Sequence, residues 1–144
     1  MIIGDIDFTK LRVLVIDDET FTRQIIERIL YELEINNVTL ASDGLDAMTK
    51  FSTTNDNFDL VICDLKMPNM DGFEFVKLLR EKTHFPSTNV PVLIVTGHSR
   101  EDIVQNAVQT GIHGYLVKPV SKNQLEKRIV MALTSPGVDP EILK

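Results

Sequence analysis

Five short apolar runs alternate with helical patterns along this chain, and this alternation constrains its fold more than any other feature. The run from Phe58 to Asp64 is uniformly apolar after Asp59. Uniform apolarity is typical of a strand that is buried on both faces, as in a parallel sheet covered by helices. The other runs lie at about residues 12–17, 38–41, 90–96 and 115–117. Right-handed crossovers between such strands predict an α/β fold, a doubly wound (βα)5 three-layer sandwich around a five-stranded parallel sheet.

Helical patterns follow each of these runs. The first has apolar residues every four positions, Phe21, Ile25, Ile29 and Leu33, with Ile26 and Leu30 beside them, which predicts one apolar helical face. The second and third helices are predicted to open at Asp43-Gly44 and Asp71-Gly72. Capping-box patterns predict that the fourth and fifth helices begin near Ser99 and Ser121. Gly111 is placed to end the fourth helix in the left-handed conformation that glycine tolerates.

Length and composition indicate one ordinary globular domain. The 144 residues are enough for a single hydrophobic core, and 43% hydrophobic with 25% charged residues is a common balance. We expect the domain to span residues 11–134, after a lead-in at residues 1–10. Residues 135–144 contain prolines and a glycine near their start and are predicted to be a tail or the stub of a linker.

Bulk properties exclude several classes of function. The net charge of −6 argues against direct nucleic-acid binding, because that binding needs Lys and Arg to displace counterions from phosphates. The apolar runs are far shorter than the roughly 20 residues that cross a bilayer. Residues 1–5 lack the basic start and apolar core of a signal peptide. Cys63 is the single cysteine, so an intramolecular disulfide is impossible. We therefore expect a cytoplasmic protein that does not bind membranes.

Polar residues stand at the carboxyl ends of four of the runs. They are Asp17, Asp18, Asp64, Thr96 and Lys118. In an open parallel sheet these strand ends meet at one edge, where ligands bind. Three carboxylates, a hydroxyl and an ammonium suit a divalent cation and a phosphoryl group, since Mg²⁺ prefers oxygen ligands. If the carboxylates converge without a cation, their mutual repulsion should raise at least one pKa.

Structural explanations remain open for most of these residues taken singly. Asp17 and Asp18 could cap the first helix, where carboxylates offset the positive end of the helix dipole. Thr96 could be an ordinary β-branched strand residue, and Lys118 could be a surface lysine. Asp64 differs because no helix begins directly after it, and a carboxylate at the end of the most apolar strand needs a partner. An aspartate there can also act as a nucleophile that forms an acyl phosphate.

Taken together, these motifs resemble the receiver domain of two-component response regulators, of the single-domain chemotaxis-regulator type. The matching motifs are Val15-Ile16-Asp17-Asp18-Glu19, Ala41-Ser42-Asp43-Gly44 with Ala47, Asp64-Leu65-Lys66-Met67-Pro68 with Met70-Asp71-Gly72, Val95-Thr96-Gly97, and Gly111 through Tyr115 to Lys118-Pro119. The resemblance covers roughly residues 10–134. It implies a flavodoxin-like sheet with strand order 2-1-3-4-5.

The resemblance implies a phosphoacceptor and a metal site. Asp64 would accept a phosphoryl group from a histidine kinase or a histidine phosphotransfer protein. Asp18 would bind Mg²⁺ directly and Asp17 mainly through water. Asp64 and the backbone carbonyl of Lys66 would be further ligands, and Mn²⁺ could substitute for Mg²⁺. The domain would catalyse only its own phosphorylation and dephosphorylation, as a signalling switch rather than a conventional enzyme.

The resemblance also implies how phosphorylation would be sensed. Thr96 and Lys118 would contact the phosphoryl oxygens, and the peptide bond between Lys118 and Pro119 would be cis. Movement of Thr96 and an inward swing of Tyr115 would remodel the face built from the fourth helix, fifth strand and fifth helix. A downstream target protein, or an effector domain absent from this chain, would bind that face.

Three residues near the site lie at positions that vary in the family. Lys66 is two residues after Asp64, and His98 is two residues after Thr96. We expect both side chains to influence attack by water on the phosphoryl group, although a solvated lysine and a helix-start histidine are equally consistent. Gly97 replaces the more usual alanine and could widen access to the site.

Two other functions are alternatives to a receiver. The first is a Mg²⁺-dependent aspartate phosphohydrolase of the haloacid-dehalogenase type, which the segment from Val15 to Thr20 loosely resembles. Such enzymes place a second aspartate two residues after the first, whereas Glu19 stands there in this chain. The second is a receiver-like scaffold that binds partners without phosphorylation.

Overall fold

The computed structural model describes residues 1–53, 58–81, 89–97 and 111–134. Within them lie seven strands, β1 Ile2–Ile3, β2 Ile6–Asp7, β3 Arg12–Ile16, β4 Asn37–Ala41, β5 Leu60–Cys63, β6 Val92–Thr96 and β7 Gly114–Val117. The same ranges contain four α-helices, α1 Thr20–Glu32, α2 Gly44–Thr53, α3 Gly72–Arg80 and α4 Lys122–Thr134. The predicted helix from Ser99 lies outside the described residues.

The five strands from β3 to β7 form one parallel sheet. Their spatial order is β4-β3-β5-β6-β7, and each neighbouring pair is parallel. This confirms the predicted five-stranded parallel sheet and its 2-1-3-4-5 order. Along the chain, helices α1, α2 and α3 lie between the successive strands from β3 to β6, as expected for a doubly wound sandwich.

Helices cover both faces of the sheet and create two cores. On one face, α2 and α3 pack side chains such as Phe51, Phe75 and Leu79 against the strands. On the other face, α1 and α4 contribute, among others, Leu30 and Leu125. Successive strand residues alternate between the two cores, which we call the α2–α3 core and the α1–α4 core. Because both faces are buried, the central strands are apolar at nearly every position, as in Leu60–Cys63.

Helix α1 and the turn after it bury four of the six residues of the predicted apolar face and expose the other two. Phe21 is 74% exposed and Ile25 is 38% exposed, so the predicted apolar face is wrong in its first half. The residues that α1 and the following turn bury are Ile26, Ile29, Leu30 and Leu33. A strict spacing of four drifts around the helix because one turn takes only 3.6 residues. The mixed spacing of three and four starting at Ile26 stays on one face.

The lead-in at residues 1–10 is a packed element. Strands β1 and β2 form an antiparallel hairpin, and residues Phe8–Lys10 form a 3-10 helix. Asp7 caps this helix because its carboxylate accepts the Thr9 backbone N–H at 3.0 Å. Phe8 is fully buried in the α1–α4 core. The hydrophobic core therefore includes a residue that precedes the first parallel strand.

Two local predictions about the end of the domain are confirmed. Ser121 and Gln124 form the predicted capping box, since Gln124 N–H donates to Ser121 Oγ at 3.2 Å and Ser121 N–H donates to Gln124 Oε1 at 3.3 Å. Gly111 has a φ of +91°, which confirms its predicted left-handed conformation, whereas the helix that it was predicted to end lies outside the described residues. Among the helices described, none combines the length and apolarity needed to cross a membrane.

Candidate functional site

Strand register brings the predicted site residues to one edge of the sheet. Ile16 on β3 pairs with Cys63 on β5, so the next residues along the two strands, Asp17 and Asp64, stand side by side. The Asp64 N–H donates to the Ile16 carbonyl at 3.0 Å and continues the ladder by one step. Carboxylate oxygens of Asp17, Asp18 and Asp64 all lie within 4.8 Å of one another. We call these three residues, with Thr96 and Lys118, the polar edge.

Asp64 is a buried carboxylate with two different oxygens. Its side chain lies at a site only 5% exposed. Oδ1 accepts the Leu65 backbone N–H at 2.8 Å, and Oδ2 lies 3.2 Å from Lys118 Nζ. Burial, with repulsion from Asp17, raises the pKa of Asp64 despite the opposing effect of Lys118. The expected pKa rise is confirmed, and its largest cause is burial rather than repulsion.

The loop after Asp64 packs closely against the start of α3. A Cβ added to Gly72 would lie 2.4 Å from the Asp64 carbonyl oxygen, so only glycine fits at this approach. Asp71 and Glu74 form a capping box that fixes the beginning of α3. The Gly72 N–H donates to the Leu65 carbonyl at 2.9 Å. These contacts hold the backbone that carries the Asp64 carboxylate.

Asp17 and Asp18 differ sharply in exposure. Asp17 is 1% exposed, whereas Asp18 is exposed to solvent. Asp17 Oδ1 accepts the Glu19 N–H at 2.9 Å. Asp17 Oδ2 lies 3.0 Å from Lys118 Nζ as an ion pair, but it accepts no hydrogen bond with suitable geometry from the part of the chain that the structure describes. The Lys118 ammonium therefore offsets the charge of this buried oxygen without satisfying it through a hydrogen bond.

Lys118 is the cation at the centre of the polar edge. Its ammonium lies 3.0 Å from Asp17, 3.2 Å from Asp64 and 3.4 Å from Glu19, and its side chain is only 16% exposed. Burial works to lower the pKa of Lys118, but contact with Asp17 and attraction to Asp64 raise it overall. The Lys118–Pro119 peptide bond is cis, as the resemblance implies. Lys118 is therefore not an ordinary surface lysine.

The remaining predicted residues surround this centre at different depths. Thr96 ends β6 at 1% exposure, and its carbonyl accepts the Lys118 N–H at 2.8 Å. Tyr115 is half-buried on β7 and packs against the α2–α3 core. Gly97 is exposed, and Lys66 is exposed two residues after Asp64. His98 lies outside the described residues.

The polar edge fits a hard divalent cation. Its three carboxylates offer oxygen ligands at one place, and Mg²⁺ binds through one or two carboxylates while keeping several waters. The Asp17 oxygen without a hydrogen bond offers a buried ligand atom. The exposed Asp18 leaves one side of the cluster open to solvent. These residues could therefore hold Mg²⁺ with water in its remaining positions.

Two residues that contact the polar edge were not assigned any role from sequence. Glu19 pairs with Lys118, although the two are 99 residues apart in the chain. Arg23 donates from its guanidinium to the Asp17 carbonyl at 2.6 Å and to Thr20 Oγ1 at 3.4 Å. A carboxylate directly after Asp17-Asp18 was the only signal in the sequence that could have indicated Glu19.

A family model and a similar protein of known family agree on the family to which this chain belongs. The family model for the response regulator receiver domain matches residues 13–130. Chemotaxis protein CheY-3 of Vibrio cholerae serotype O1 is 31% identical over 120 residues, which cover 83% of this chain and 89% of that protein.

Solved structures agree with this match. The chemotaxis protein CheY4 of Vibrio cholerae has a TM-score of 0.75 at 32% identity, covering 85% of this chain and 98% of its own. A chain of the CheX–CheY complex with BeF3 and Mg²⁺ from Borrelia burgdorferi has a TM-score of 0.78 at 26% identity, covering 87% and 90%.

Proposed function

The chain is a receiver domain of the response regulator family, and from that premise we propose that Asp64 is its phosphoacceptor beside a Mg²⁺ ion held by Asp17, Asp18 and Asp64. A receiver domain is a phosphoryl-accepting signalling switch. The observation that carries the residue assignment is the convergence of these three carboxylates within 4.8 Å, with the Lys118 ammonium 3.2 Å from Asp64. That arrangement combines a nucleophile, a cation site and a fixed positive charge.

The proposed reaction transfers a phosphoryl group to Asp64. A carboxylate oxygen of Asp64 attacks the phosphorus of a phosphohistidine, the P–N bond breaks, and an acyl phosphate forms as the donor imidazole leaves. Lys118 remains beside the new group and offsets its negative charge, and the Thr96 hydroxyl donates a hydrogen bond to it. Bound Mg²⁺ would neutralise charge between the two anionic groups. The domain would supply the positioning for its own phosphorylation and later hydrolysis.

The metal site is proposed from the oxygen ligands of this chain. The backbone carbonyl of Lys66 would add a ligand to the three carboxylates, and Mn²⁺ would substitute for Mg²⁺ because it also accepts oxygen ligands. Support comes from the buried Asp17 oxygen that lacks a hydrogen bond within the described residues. Further support comes from the Borrelia burgdorferi complex, which contains BeF3 and Mg²⁺ together with a similar protein.

The proposed partners are proteins on both sides of the switch. A histidine kinase or a histidine phosphotransfer protein would supply the phosphoryl group. A downstream target protein, or an effector domain outside this chain, would bind the face that includes β7 and α4; the predicted fourth helix of that face lies outside the described residues. Tyr115 is half-buried on β7 and Thr96 lies one strand away, so both are placed to link Asp64 to that face. The net charge of −6 argues against direct binding to nucleic acid.

The proposed lifetime of the phosphoryl group depends on the rim of the site. Lys66 is exposed two residues after Asp64, where its side chain can reach water near the acyl phosphate. Gly97 is exposed after Thr96, and His98 would be the next residue along the rim. Lys66→Ala should change the phosphoryl half-life without changing the fold, and hydrolysis of the labelled protein measures it. An unchanged half-life would exclude this role for Lys66.

Neither alternative function is favoured by these observations. The haloacid-dehalogenase type needs Asp17 as its nucleophile, whereas the family membership favours Asp64. A scaffold that acts without phosphorylation would have no need of a nearly buried ammonium among three carboxylates. Equal affinity of wild type and Asp64→Asn for a partner, with and without acetyl phosphate and Mg²⁺, would support the scaffold.

Two aspartates at opposite ends of β5 allow a matched test. The protein is incubated with acetyl phosphate and Mg²⁺, and intact-mass spectrometry detects one added phosphoryl group. Asp64→Asn should remove that mass increase completely. Asp59→Asn, the control at the other end of the same strand, should keep it. Phosphorylation of Asp64→Asn at the wild-type level would overturn the assignment.

A further inference from the structure

The side chain of Glu19 has no structural task in its own helix. Glu19 is the N-cap residue of α1, a position where side chains usually accept a backbone N–H of the first turn, but it makes no such capping bond. Its carboxylate is 64% exposed and instead lies 3.4 Å from Lys118 Nζ. Arg23, which is four residues further along the helix, directs its guanidinium to the Asp17 carbonyl. The carboxylate of Glu19 therefore forms an ion pair with a lysine from a distant segment of the chain.

Lys118 and a metal ion would compete for the same oxygens. The two buried carboxylate oxygens nearest the ammonium are Oδ2 of Asp17 and Oδ2 of Asp64. Both residues belong to the three-carboxylate cluster that could hold a cation. A divalent cation bound there would repel the ammonium and take over part of the negative charge that holds it. Lys118 then needs another anion, and Glu19 is already in contact.

We propose that Glu19 is a positioning residue for Lys118, which holds the ammonium at the mouth of the site when Mg²⁺ occupies Asp17 and Asp64. This inference rests on the proposed metal site. Metal binding shifts Lys118 towards Glu19 instead of releasing it into water. The ammonium thus stays close to the place where an incoming phosphoryl group arrives. Glu19 accordingly strengthens Mg²⁺ binding through Lys118, in addition to any direct attraction between its own charge and the metal ion.

A double-mutant cycle with Mg²⁺ as the probe separates these two effects. Mg²⁺ affinity is measured by isothermal titration calorimetry, without any phosphodonor, on wild type, Glu19→Gln, Lys118→Met and the double mutant. Glu19→Gln should weaken Mg²⁺ binding about two- to fivefold, the size expected for an exposed ion pair. Lys118→Met should tighten binding because it removes the competing cation. In the Lys118→Met background, Glu19→Gln should have little effect.

A second acid on α1 provides the control for net charge. Glu32→Gln makes the same charge change at the far end of the helix and should leave Mg²⁺ affinity unchanged. Glu19 is exposed, so its substitution does not threaten folding, and a thermal melt of each variant checks this. If Lys118→Met does not fold, Lys118→Gln takes its place in the cycle.

Each result decides between the inference and its premise. A Glu19→Gln effect that persists undiminished without Lys118 would show direct attraction of the metal and overturn the positioning role. No effect of Glu19→Gln in the wild-type background would also overturn it. If wild type binds no Mg²⁺ at all, the proposed metal site fails and the inference fails with it. The Asp64→Asn test is separate: phosphorylation of wild type that is lost in Asp64→Asn would still assign the phosphoacceptor to Asp64 if the Glu19 inference fails.

Discussion

The two ends of the parallel sheet handle charge in opposite ways. At the amino end, Arg12 and Asp59 form an ion pair and two hydrogen bonds that involve their backbones. Asp59 Oδ2 accepts the Arg12 N–H at 2.9 Å, and the Arg12 carbonyl accepts the Asp59 N–H at 2.8 Å. The Arg12 guanidinium also lies 3.7 Å from the same carboxylate oxygen. At the carboxyl end, one ammonium, that of Lys118, lies within 3.4 Å of three carboxylates, those of Asp17, Asp64 and Glu19.

This difference shows which end is built for stability and which for binding. At the amino end Arg12 and Asp59 carry opposite charges and hydrogen-bond through both backbones, so the charges of these two residues offset each other. The polar edge leaves excess negative charge in a buried place, where only a cation or a proton relieves it. Binding of Mg²⁺ should therefore stabilise the polar edge, because the cation offsets this excess negative charge.

Shortening the buried side chain of Phe8, which precedes the first parallel strand, should have the largest effect on stability. Phe8 is fully buried below the hairpin, so Phe8→Ala should lower the free energy of unfolding by about 3–5 kcal/mol. Urea denaturation measures this loss. Ile2→Ala, in the same hairpin but at a residue 71% exposed, is the control and should cost less than about 0.5 kcal/mol. Mg²⁺ affinity of folded Phe8→Ala should stay at the wild-type level, and its loss would show that the two ends are coupled.

Disturbing the backbone of the polar edge should have an intermediate effect. Gly72→Ala would place a methyl group 2.4 Å from the Asp64 carbonyl oxygen, and we expect a loss of about 1–3 kcal/mol. Because the same movement displaces Asp64, Mg²⁺ binding should also weaken. Denaturation and calorimetry measure the two effects. Weakened folding with unchanged metal affinity would contradict the close link between α3 and Asp64.

Removing the negative charge of Asp64 should stabilise the metal-free protein. This gain should be smaller than the losses expected for Phe8→Ala and Gly72→Ala. Since the folded-state pKa of Asp64 is raised, the folded state binds more protons than the unfolded state between the ordinary and raised values. The free energy of unfolding therefore falls as pH rises through that interval. Asp64→Asn should abolish this fall and be more stable than wild type at neutral pH without metal.

Added metal should reverse this order of stability. Mg²⁺ should stabilise wild type and leave Asp64→Asn nearly unaffected, because a ligand stabilises only the state that binds it. Thermal melts across pH, with and without Mg²⁺, measure both parts. A wild type that is more stable than Asp64→Asn at neutral pH in the absence of metal would contradict the charge imbalance.

The smallest effect is expected at the rim. No atom of the described residues lies within 4 Å of a Cβ placed on Gly97. Gly97→Ala should therefore change stability by less than about 0.5 kcal/mol, unlike Gly72→Ala. If Gly97 widens access to Asp64, the alanine variant should hydrolyse its phosphoryl group more slowly. A large loss of stability would show that this residue is constrained by packing.

Much of the site was predictable because strand ends converge in a parallel sheet. Asp17, Asp64, Thr96 and Lys118 follow apolar runs, and the observed register places them at one edge. The ion pair of Glu19 was not predictable, since it depends on the direction of two long side chains from distant segments. Burial of Phe8 was equally hidden, because one aromatic residue in a short lead-in of mixed polar and apolar residues has no periodic pattern.

The sequence by itself determined the α/β class, the strand order through its family motifs, and the residues that end each strand. Apolar runs and their spacing carry this information locally, because strands that are buried on both faces are mostly apolar. Only the tertiary structure decided that Phe21 and Ile25 of α1 stay exposed, how deeply Asp17 and Asp64 lie, and which carboxylates share Lys118. Exposure and charge pairing depend on distances between segments far apart in the chain, and these distances exist only after the layers have packed.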